Sequence, residues 1–275
     1  MKSVSFFFVI IVLTCFSCQR EVPPAELNNP LVYDIFPVMG QSNAYNGSGL
    51  NYLLDHSNYQ IKQLGRFGIN DHRVIPAVEP LEHFSIAKGC NGFAMPFALL
   101  YQQQYLEKGR DILLLPCSEN GSSFSNSRWN KRDTLYKDVI ERVKFVMEKY
   151  PGSKLKGFLW HQGESDMKWG RYYGSLLDNM IGHMRRDIAG AQGDSIPFIA
   201  GGLVPYWTDQ FTQRKIIDSV ISETTTRLPF IGYASSRLPF KISKADNEKD
   251  IIHFDAVGQR ELGKRYFDAY KKLRR

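Results

Sequence analysis

The sequence predicts an α/β fold: a three-layer, doubly wound parallel sheet of five strands with helices on both faces. Three observations predict it. Five short apolar runs are nearly continuous, helical patterns lie between them, and 43% of the 275 residues are hydrophobic. Continuous apolar runs are typical of parallel strands covered on both faces, and this hydrophobic content is enough for a large core.

The five strands are predicted at 33–39, 112–116, 155–160, 197–201 and 230–234. Apolar residues at helical spacing predict helices at 95–106, 135–150, 176–188, 211–228 and 256–273. Because strand–helix–strand crossovers are right-handed, this alternation favours the flavodoxin-like strand order 2-1-3-4-5. One connection, from about Asn46 to Asn91, is unusually long, and we expect it to form a partly ordered wall around a site.

The formal net charge of +7 does not predict a nucleic-acid partner. The basic residues are scattered, and their one dense group lies at the end of the last predicted helix, where cations complement the helix dipole. The sequence also lacks P-loop, dinucleotide-binding and zinc-ligand spacings. A solvated basic surface is therefore the interpretation that composition favours.

The first 18 residues predict export. Lys2 precedes an apolar run at 6–13 that is too short to span a bilayer but has the length of a signal-peptide core. Ser17-Cys18 resembles a bacterial lipoprotein cleavage site, which would leave a lipid on Cys18 and place the protein in the periplasm or at the outer membrane. Ordinary secretion with a nearby cut is the alternative. Membrane association is expected only through that lipid.

The chain after this segment divides into two parts. Residues 19–31 are expected to be a tether, because two prolines and many polar residues disfavour a helix. Residues 32–275 are expected to form a single domain. An exported compartment permits a disulfide between Cys90 and Cys117, but the sequence does not decide whether it forms. Oligomeric state is also left open.

Polar, glycine-containing segments follow several of the predicted strands. In open α/β sheets ligands bind beyond the carboxyl ends of the strands, so these segments are expected to converge on one edge. They are Gly40–Ala44, 117–123, 161–166 and, further along the chain, 250–255. The convergence predicts an active site better than any one segment does.

The residue types in these segments suit acyl transfer. A serine hydroxyl needs a base and the base needs an orienting carboxylate, and Ser42, His253 and Asp250 supply these groups. A spacing of three places Asp250 and His253 on one face of a helical turn. A developing oxyanion needs donors: the backbone N–H groups of Ser42 and Gly121 and the side-chain amide of Gln162 are candidates. Taken alone, Ser42 is better interpreted as an ordinary turn serine, and it is the other three segments that favour catalysis.

These segments resemble the SGNH-hydrolase superfamily, in particular its sialate O-acetylesterase and acetylxylan esterase branch (similar to carbohydrate esterase family 6). The resemblance rests on GQSNA at 40–44, NGSS at 120–123, WHQGESD at 160–166 and DIIHFDAVGQRELGKRY at 250–266. It implies the SGNH fold, with Ser42 as nucleophile, His253 as base and Asp250 as acid. It also implies oxyanion donors at Ser42, Gly121 and Gln162. Glu164 is a second candidate for the acid.

The function expected from this resemblance is hydrolysis of O-acetyl groups on carbohydrate, either sialic acid or a polysaccharide such as xylan, through an acetyl-enzyme. That chemistry needs no metal and no organic cofactor. Two alternatives stay open: a carbohydrate-binding lipoprotein with a vestigial site, and an esterase for another short-acyl ester. Aromatic residues in predicted loops are candidate sugar platforms: Trp129, Trp169, Tyr206 and Trp207. We expect His161 to be structural and Asp255 to cap the last helix.

Overall fold

The computed structural model describes residues 31–56, 58–242, 244 and 249–274. The predicted signal segment, Cys18 and nearly all of the predicted tether lie outside the described residues. Within them, strands and helices alternate along most of the chain, as the apolar patterns predict.

The strands are β1 (Tyr33–Gly40), β2 (Gly47–Ser48), β3 (Ile61–Leu64), β4 (Val74–Pro76), β5 (Cys90–Asn91), β6 (Asp111–Pro116), β7 (Lys154–Leu155), β8 (Phe158–His161), β9 (Phe198–Gly201) and β10 (Ile231–Ala234). The α-helices are α1 (Ala94–Tyr105), α2 (Thr134–Lys149), α3 (Tyr173–Ala189), α4 (Pro205–Thr208), α5 (Thr212–Arg227) and α6 (Ala256–Lys272). The 3-10 helices are Ser42–Ala44, Gly68–Asn70, Glu164–Tyr172 and Gly190–Ser195. The five predicted helices correspond to α1, α2, α3, α5 and α6.

The centre of the sheet has the predicted strand order. The strands run β10-β9-β8-β1-β6-β3-β4 across the sheet, and neighbours from β10 to β6 are parallel. In chain order these five central strands are arranged 2-1-3-4-5. Helix α1 packs on α6, while α3 packs on both α2 and α5. Two helical groups therefore cover the sheet, which confirms the doubly wound α/β class.

The predicted number of five strands is wrong. Strand β3 extends the sheet beyond β6 in parallel, and β4 adds an antiparallel edge. The predicted strand 155–160 is divided into β7 and β8, which both pair with β1. Strands β3 and β4 come from the long connection that was expected to be a wall. They are too short to show a clear period. The conformation of β3 depends on long-range pairing with β6, and that of β4 on pairing with β3.

The rest of that long connection is anchored to α6. The carboxylate of Asp55 accepts hydrogen bonds from both Nε and Nη2 of Arg260 at 2.8 and 2.7 Å, and from Asn91 at 2.9 Å. Ser48 forms a parallel bridge with Asp255, the residue before α6. These contacts hold the connection against the end of the chain that carries His253.

The two cysteines of the domain are both buried and both free. Cys90 Sγ donates to Asn46 Oδ1 at 3.2 Å, and Cys117 lies in the core at the end of β6. In the structure, then, no disulfide joins Cys90 to Cys117. Among the described helices, none is both long and apolar enough to cross a bilayer.

Candidate active site

The serine turn begins where β1 ends. Gly40 has φ +118°, and a Cβ atom there would lie 2.0 Å from the carbonyl oxygen of His161. Only glycine lets β1 approach β8 this closely and then turn. The chain continues into the 3-10 helix Ser42–Ala44, whose first residue, Ser42, is buried. The sheet edge thus fixes where Ser42 lies.

The structure brings Ser42, His253 and Asp250 together. Ser42 Oγ lies 2.8 Å from His253 Nε2, and His253 Nδ1 lies 2.8 Å from Asp250 Oδ2. Ser42 and His253 are 211 residues apart in the chain. If Nδ1 donates to Asp250, then Nε2 has a lone pair available for the Ser42 hydroxyl, as a general base requires.

Asp250 is held by the backbone that follows it. Residues 250–253 form a bend rather than the helical turn that their spacing suggested. Asp250 Oδ1 accepts the N–H groups of Ile252 and His253, each at 3.1 Å, which leaves Oδ2 for the imidazole. Burial opposes ionisation of this carboxyl, but the hydrogen bonds from His253 and the backbone outweigh it and lower the pKa of Asp250.

Glu164, the second candidate for the acid, has a different partner. Its Oε1 accepts a hydrogen bond from Asn43 Nδ2 at 2.6 Å, whereas Asp250 occupies His253 Nδ1. Oε2 of Glu164 is buried and has no partner among the described residues. Burial raises the pKa of this carboxyl, although Asn43 and the nearby His253 oppose the rise. Asp250, and not Glu164, therefore lies beside the imidazole of His253.

Asn43 is a residue of the site that the sequence reasoning did not single out. Its Nδ2 donates to Glu164 and to the carbonyl oxygen of Ile252, and its Oδ1 accepts the N–H of Phe254 at 3.0 Å. Gln259 of α6 donates to its carbonyl oxygen at 2.9 Å. Asn43 thus ties the serine turn to both sides of His253. The signal available in the sequence was its position beside Ser42 in the motif GQSNA.

The backbone N–H groups of Ser42 and Gly121 were predicted as oxyanion donors. No acceptor in the described parts of the chain takes the N–H of Ser42 or that of Gly121. Gly121 has φ +67°, which glycine adopts without penalty. The turn that contains it is tied to the serine turn, since Ser122 Oγ and the Glu119 N–H both donate to the Gly40 carbonyl, at 3.0 and 3.2 Å.

The expected role of Gln162 needs correction. The side chain is fully buried, and its amide hydrogens are directed to Asp166 Oδ2 at 2.9 Å, Gln41 Oε1 at 3.2 Å and Ser122 O at 3.4 Å. Three acceptors surround the two amide hydrogens, so neither hydrogen is free to bind an oxyanion. Asp166 in turn accepts the N–H groups of Phe124 and Ser125. Gln162 and Asp166 therefore support the Gly121 turn from beneath.

His161 is structural, as expected. Tyr266 donates its hydroxyl hydrogen to the carbonyl of Trp160, so it can only accept from His161 Nδ1, 3.0 Å away. Burial lowers the pKa of His161 to about 3, which keeps the ring neutral. Asp255 caps α6 as expected, since its Oδ1 accepts the Gly258 N–H at 2.7 Å.

The four candidate sugar platforms divide into two pairs. Trp129 and Trp207 are buried, Trp129 edge-on to Trp160 at 4.9 Å, so neither ring can lie flat on a sugar. Trp169 and Tyr206 are 38% and 40% exposed. No group of three His, Cys, Asp or Glu in the described ranges could hold a metal ion.

The known proteins that this chain resembles are esterases. The model of a family described as "Carbohydrate esterase, sialic acid-specific acetylesterase" matches residues 32–272. An Escherichia coli K12 protein named "Probable 9-O-acetyl-N-acetylneuraminic acid deacetylase" is 27% identical over 230 residues, which cover 66% of this chain and 71% of that protein.

Two solved structures share the fold. The crystal structure of NanS matches with a TM-score of 0.73 at 20% identity, over 90% of this chain and 99% of that one. A protein of Arabidopsis thaliana matches with a TM-score of 0.71 at 23% identity, over 88% of this chain and 99% of that one. At these identities the two structures support the fold alone.

Proposed function

The chain belongs to the carbohydrate esterase family of sialic acid-specific acetylesterases, and we propose that it removes O-acetyl groups from sialic acids with Ser42 as nucleophile. Family membership makes the protein a carboxylic ester hydrolase that acts on O-acetylated carbohydrate. The choice of sialic acid is supported by the family description and by the name of the Escherichia coli relative.

The first half of the proposed reaction forms an acetyl-enzyme. Ser42 Oγ attacks the acetyl carbonyl carbon while His253 Nε2 takes the hydroxyl proton, and the electrons of the C=O bond move to its oxygen. The N–H groups of Ser42 and Gly121 stabilise that oxyanion. The intermediate then collapses, the C–O bond to the sugar breaks, and His253 returns the proton to the sugar oxygen.

The second half returns the enzyme. Water attacks the acetyl carbon of acetyl-Ser42 and gives a proton to His253, and a second oxyanion forms against the same donors. Collapse breaks the bond to Oγ, His253 protonates Oγ, and acetate leaves. Asp250 stabilises the imidazolium in both halves through Nδ1.

The observation that carries the proposal is the unbroken chain of contacts from Ser42 Oγ through the imidazole to Asp250, with 2.8 Å at each step. The same observation argues against a carbohydrate-binding protein with a vestigial site. A protein that only binds sugar does not need a serine, a base and an orienting carboxylate that are hydrogen-bonded to one another.

Acetate release tests this proposal. Wild-type protein is incubated with O-acetylated N-acetylneuraminic acid, acetylated xylan and p-nitrophenyl acetate, beside Ser42→Ala and the control Ser222→Ala, which changes a half-buried serine of α5. We expect release from the sialic acid, a loss of about 10³-fold or more in Ser42→Ala, and wild-type rates in the control. Release from xylan alone would refute the choice of sugar. Undiminished turnover by Ser42→Ala would refute the mechanism.

We also propose that the protein is exported and carries a lipid on Cys18. The support lies in the sequence: Lys2, the apolar run at 6–13 and Ser17-Cys18. Metabolic labelling with palmitate in a bacterial host should mark the wild type and leave Cys18→Ser unmarked. Export of both proteins without label would favour ordinary secretion instead.

A further inference from the structure

A buried lysine lies against the acid of the site. Lys244 Nζ donates to the carbonyl oxygen of Asp250 at 2.5 Å and lies 3.6 Å from its Oδ2. The side chain of Lys244 is 5% exposed, whereas that of Asp250 is 39% exposed. The ammonium therefore lies near the same carboxylate oxygen that His253 Nδ1 contacts, and it also binds the backbone of Asp250.

Burying an ammonium is costly unless acceptors and an opposite charge compensate it. Among the residues that the structure describes, both contacts of Nζ reach Asp250. The backbone oxygen of Asp250 anchors the start of the 250–253 bend, and the carboxylate supplies the charge. Asp250 Oδ1 is already taken by the N–H groups of Ile252 and His253. Lys244 thus completes the set of groups that fix how Oδ2 points at the imidazole.

We propose that Lys244 is a positioning residue of the triad, which anchors Asp250 and whose charge opposes protonation of the His253 imidazole. This inference rests on the proposed function of Ser42, His253 and Asp250. It adds a fourth group that the motif D-x-x-H does not contain, because Lys244 precedes Asp250 by six residues.

Other ionisable groups near Asp250 and His253 differ in whether they favour protonation of the imidazole. The buried carboxyl of Glu164 lies within electrostatic reach of His253 and, when ionised, favours the imidazolium. The thiol of Cys90 lies near Asp250, and its pKa is raised by burial, then by Glu79 and Asp250, so it stays neutral. Asp250 favours the imidazolium directly. Among these groups Lys244 supplies the positive charge that offsets the two carboxyls.

The pH dependence of kcat/KM with p-nitrophenyl acetate tests the proposal. The variants are Lys244→Met, which removes the charge, Lys244→Arg, which keeps it, and Lys241→Met as the control. Lys241 is 62% exposed and pairs with Asp209 at 2.8 Å. In Lys244→Met we expect the acidic limb to move up by about half to one pH unit. The plateau of kcat should fall about three- to tenfold, with KM changed less than about twofold.

Lys244→Arg should keep the wild-type acidic limb, and Lys241→Met should match the wild type throughout. Wild-type kcat and acidic limb in Lys244→Met would overturn the inference, as would an equal shift in the arginine variant. If Lys244→Met and Lys244→Gln both fail to fold while Lys241→Met folds, Lys244 serves the fold and the inference is also overturned.

Ser42→Ala, assayed in parallel, separates this inference from the proposed function. An active Ser42→Ala enzyme refutes the proposed mechanism whatever the lysine variants do. An inactive Ser42→Ala beside an unperturbed Lys244→Met refutes only the role of Lys244.

Discussion

Asn43 Nδ2 donates to the carbonyl oxygen of Ile252 at 2.8 Å, across 209 residues of chain. The same amide contacts Glu164 and the N–H of Phe254, so one buried side chain joins the turn that carries Ser42 to the bend that carries His253. This link joins the two segments from which Ser42 Oγ and His253 Nε2 make their 2.8 Å contact.

Replacing Asn43 with alanine should weaken both the fold and the reaction. Three hydrogen bonds are lost, and each buried group left without a partner costs about 1–3 kcal/mol. We expect kcat to fall by about tenfold or more and the free energy of unfolding by about 2–4 kcal/mol, measured by acetate release and urea denaturation. Asn46→Ala, which loses one contact with Cys90, is the control and should change kcat less than about threefold. Equal effects in both variants would contradict the role of Asn43.

Asp250→Asn and Glu164→Gln should separate the two candidate acids. An amide at position 250 cannot stabilise the imidazolium and can favour the wrong tautomer, so we expect a loss of about 10²–10⁴-fold in kcat. Glutamine at 164 still offers an oxygen to Asn43, so its loss should stay below about tenfold. The reverse ranking, in a p-nitrophenyl acetate assay at neutral pH, would make Glu164 the acid.

Gly121→Ala tests the oxyanion turn against a matched glycine. Gly121 and Gly109 have φ of +67° and +82°, and an added Cβ would meet no atom within 4 Å at either position. Gly109 immediately precedes Arg110 and β6, at the opposite edge of the sheet. Both variants should lose about 1–2 kcal/mol of stability from backbone strain. We expect only Gly121→Ala to lose kcat, by about tenfold or more, because its N–H is displaced. Equal kcat in both variants would argue against Gly121 as a donor.

Glu79 should make stability depend on pH. Burial raises the pKa of this carboxyl from 4.5 to about 8, although the N–H groups of Gly92 and Leu81 donate to it. Because the folded value lies above the unfolded one, the contribution to stability is complete below pH 4.5 and is lost as pH rises through 8.

Relative to Glu79→Gln, the wild type should therefore lose about 1 kcal/mol of unfolding free energy per pH unit across this range. Urea denaturation of both proteins at several pH values measures the difference. The variant forfeits one backbone hydrogen bond, so it should be the less stable protein at acidic pH. Parallel curves for the two proteins would show that Glu79 titrates normally.

Local patterns were sufficient for most of the fold. Periodicity placed helices where α2, α5 and α6 lie, because the spacing of apolar residues reports directly which face of a helix is buried. The central strand order followed from right-handed crossovers. Strands β3 and β4 could not be predicted, since four and three residues show no period. They become strands only because β3 pairs with β6 and β4 pairs with β3.

The amino-acid sequence by itself determined the fold class, the central strand order and the residues that meet at the sheet edge, because burial and chain direction are encoded locally. Only the tertiary structure decided that Asp250 rather than Glu164 faces His253, that the amide of Gln162 binds protein acceptors near the Gly121 turn, and that Lys244 binds the backbone of Asp250. Those choices depend on hydrogen-bond geometry between segments far apart in the chain. A change of about an ångström in the distance between two polar atoms decides whether they form a hydrogen bond. The spacing of residues along the sequence carries no information at that scale.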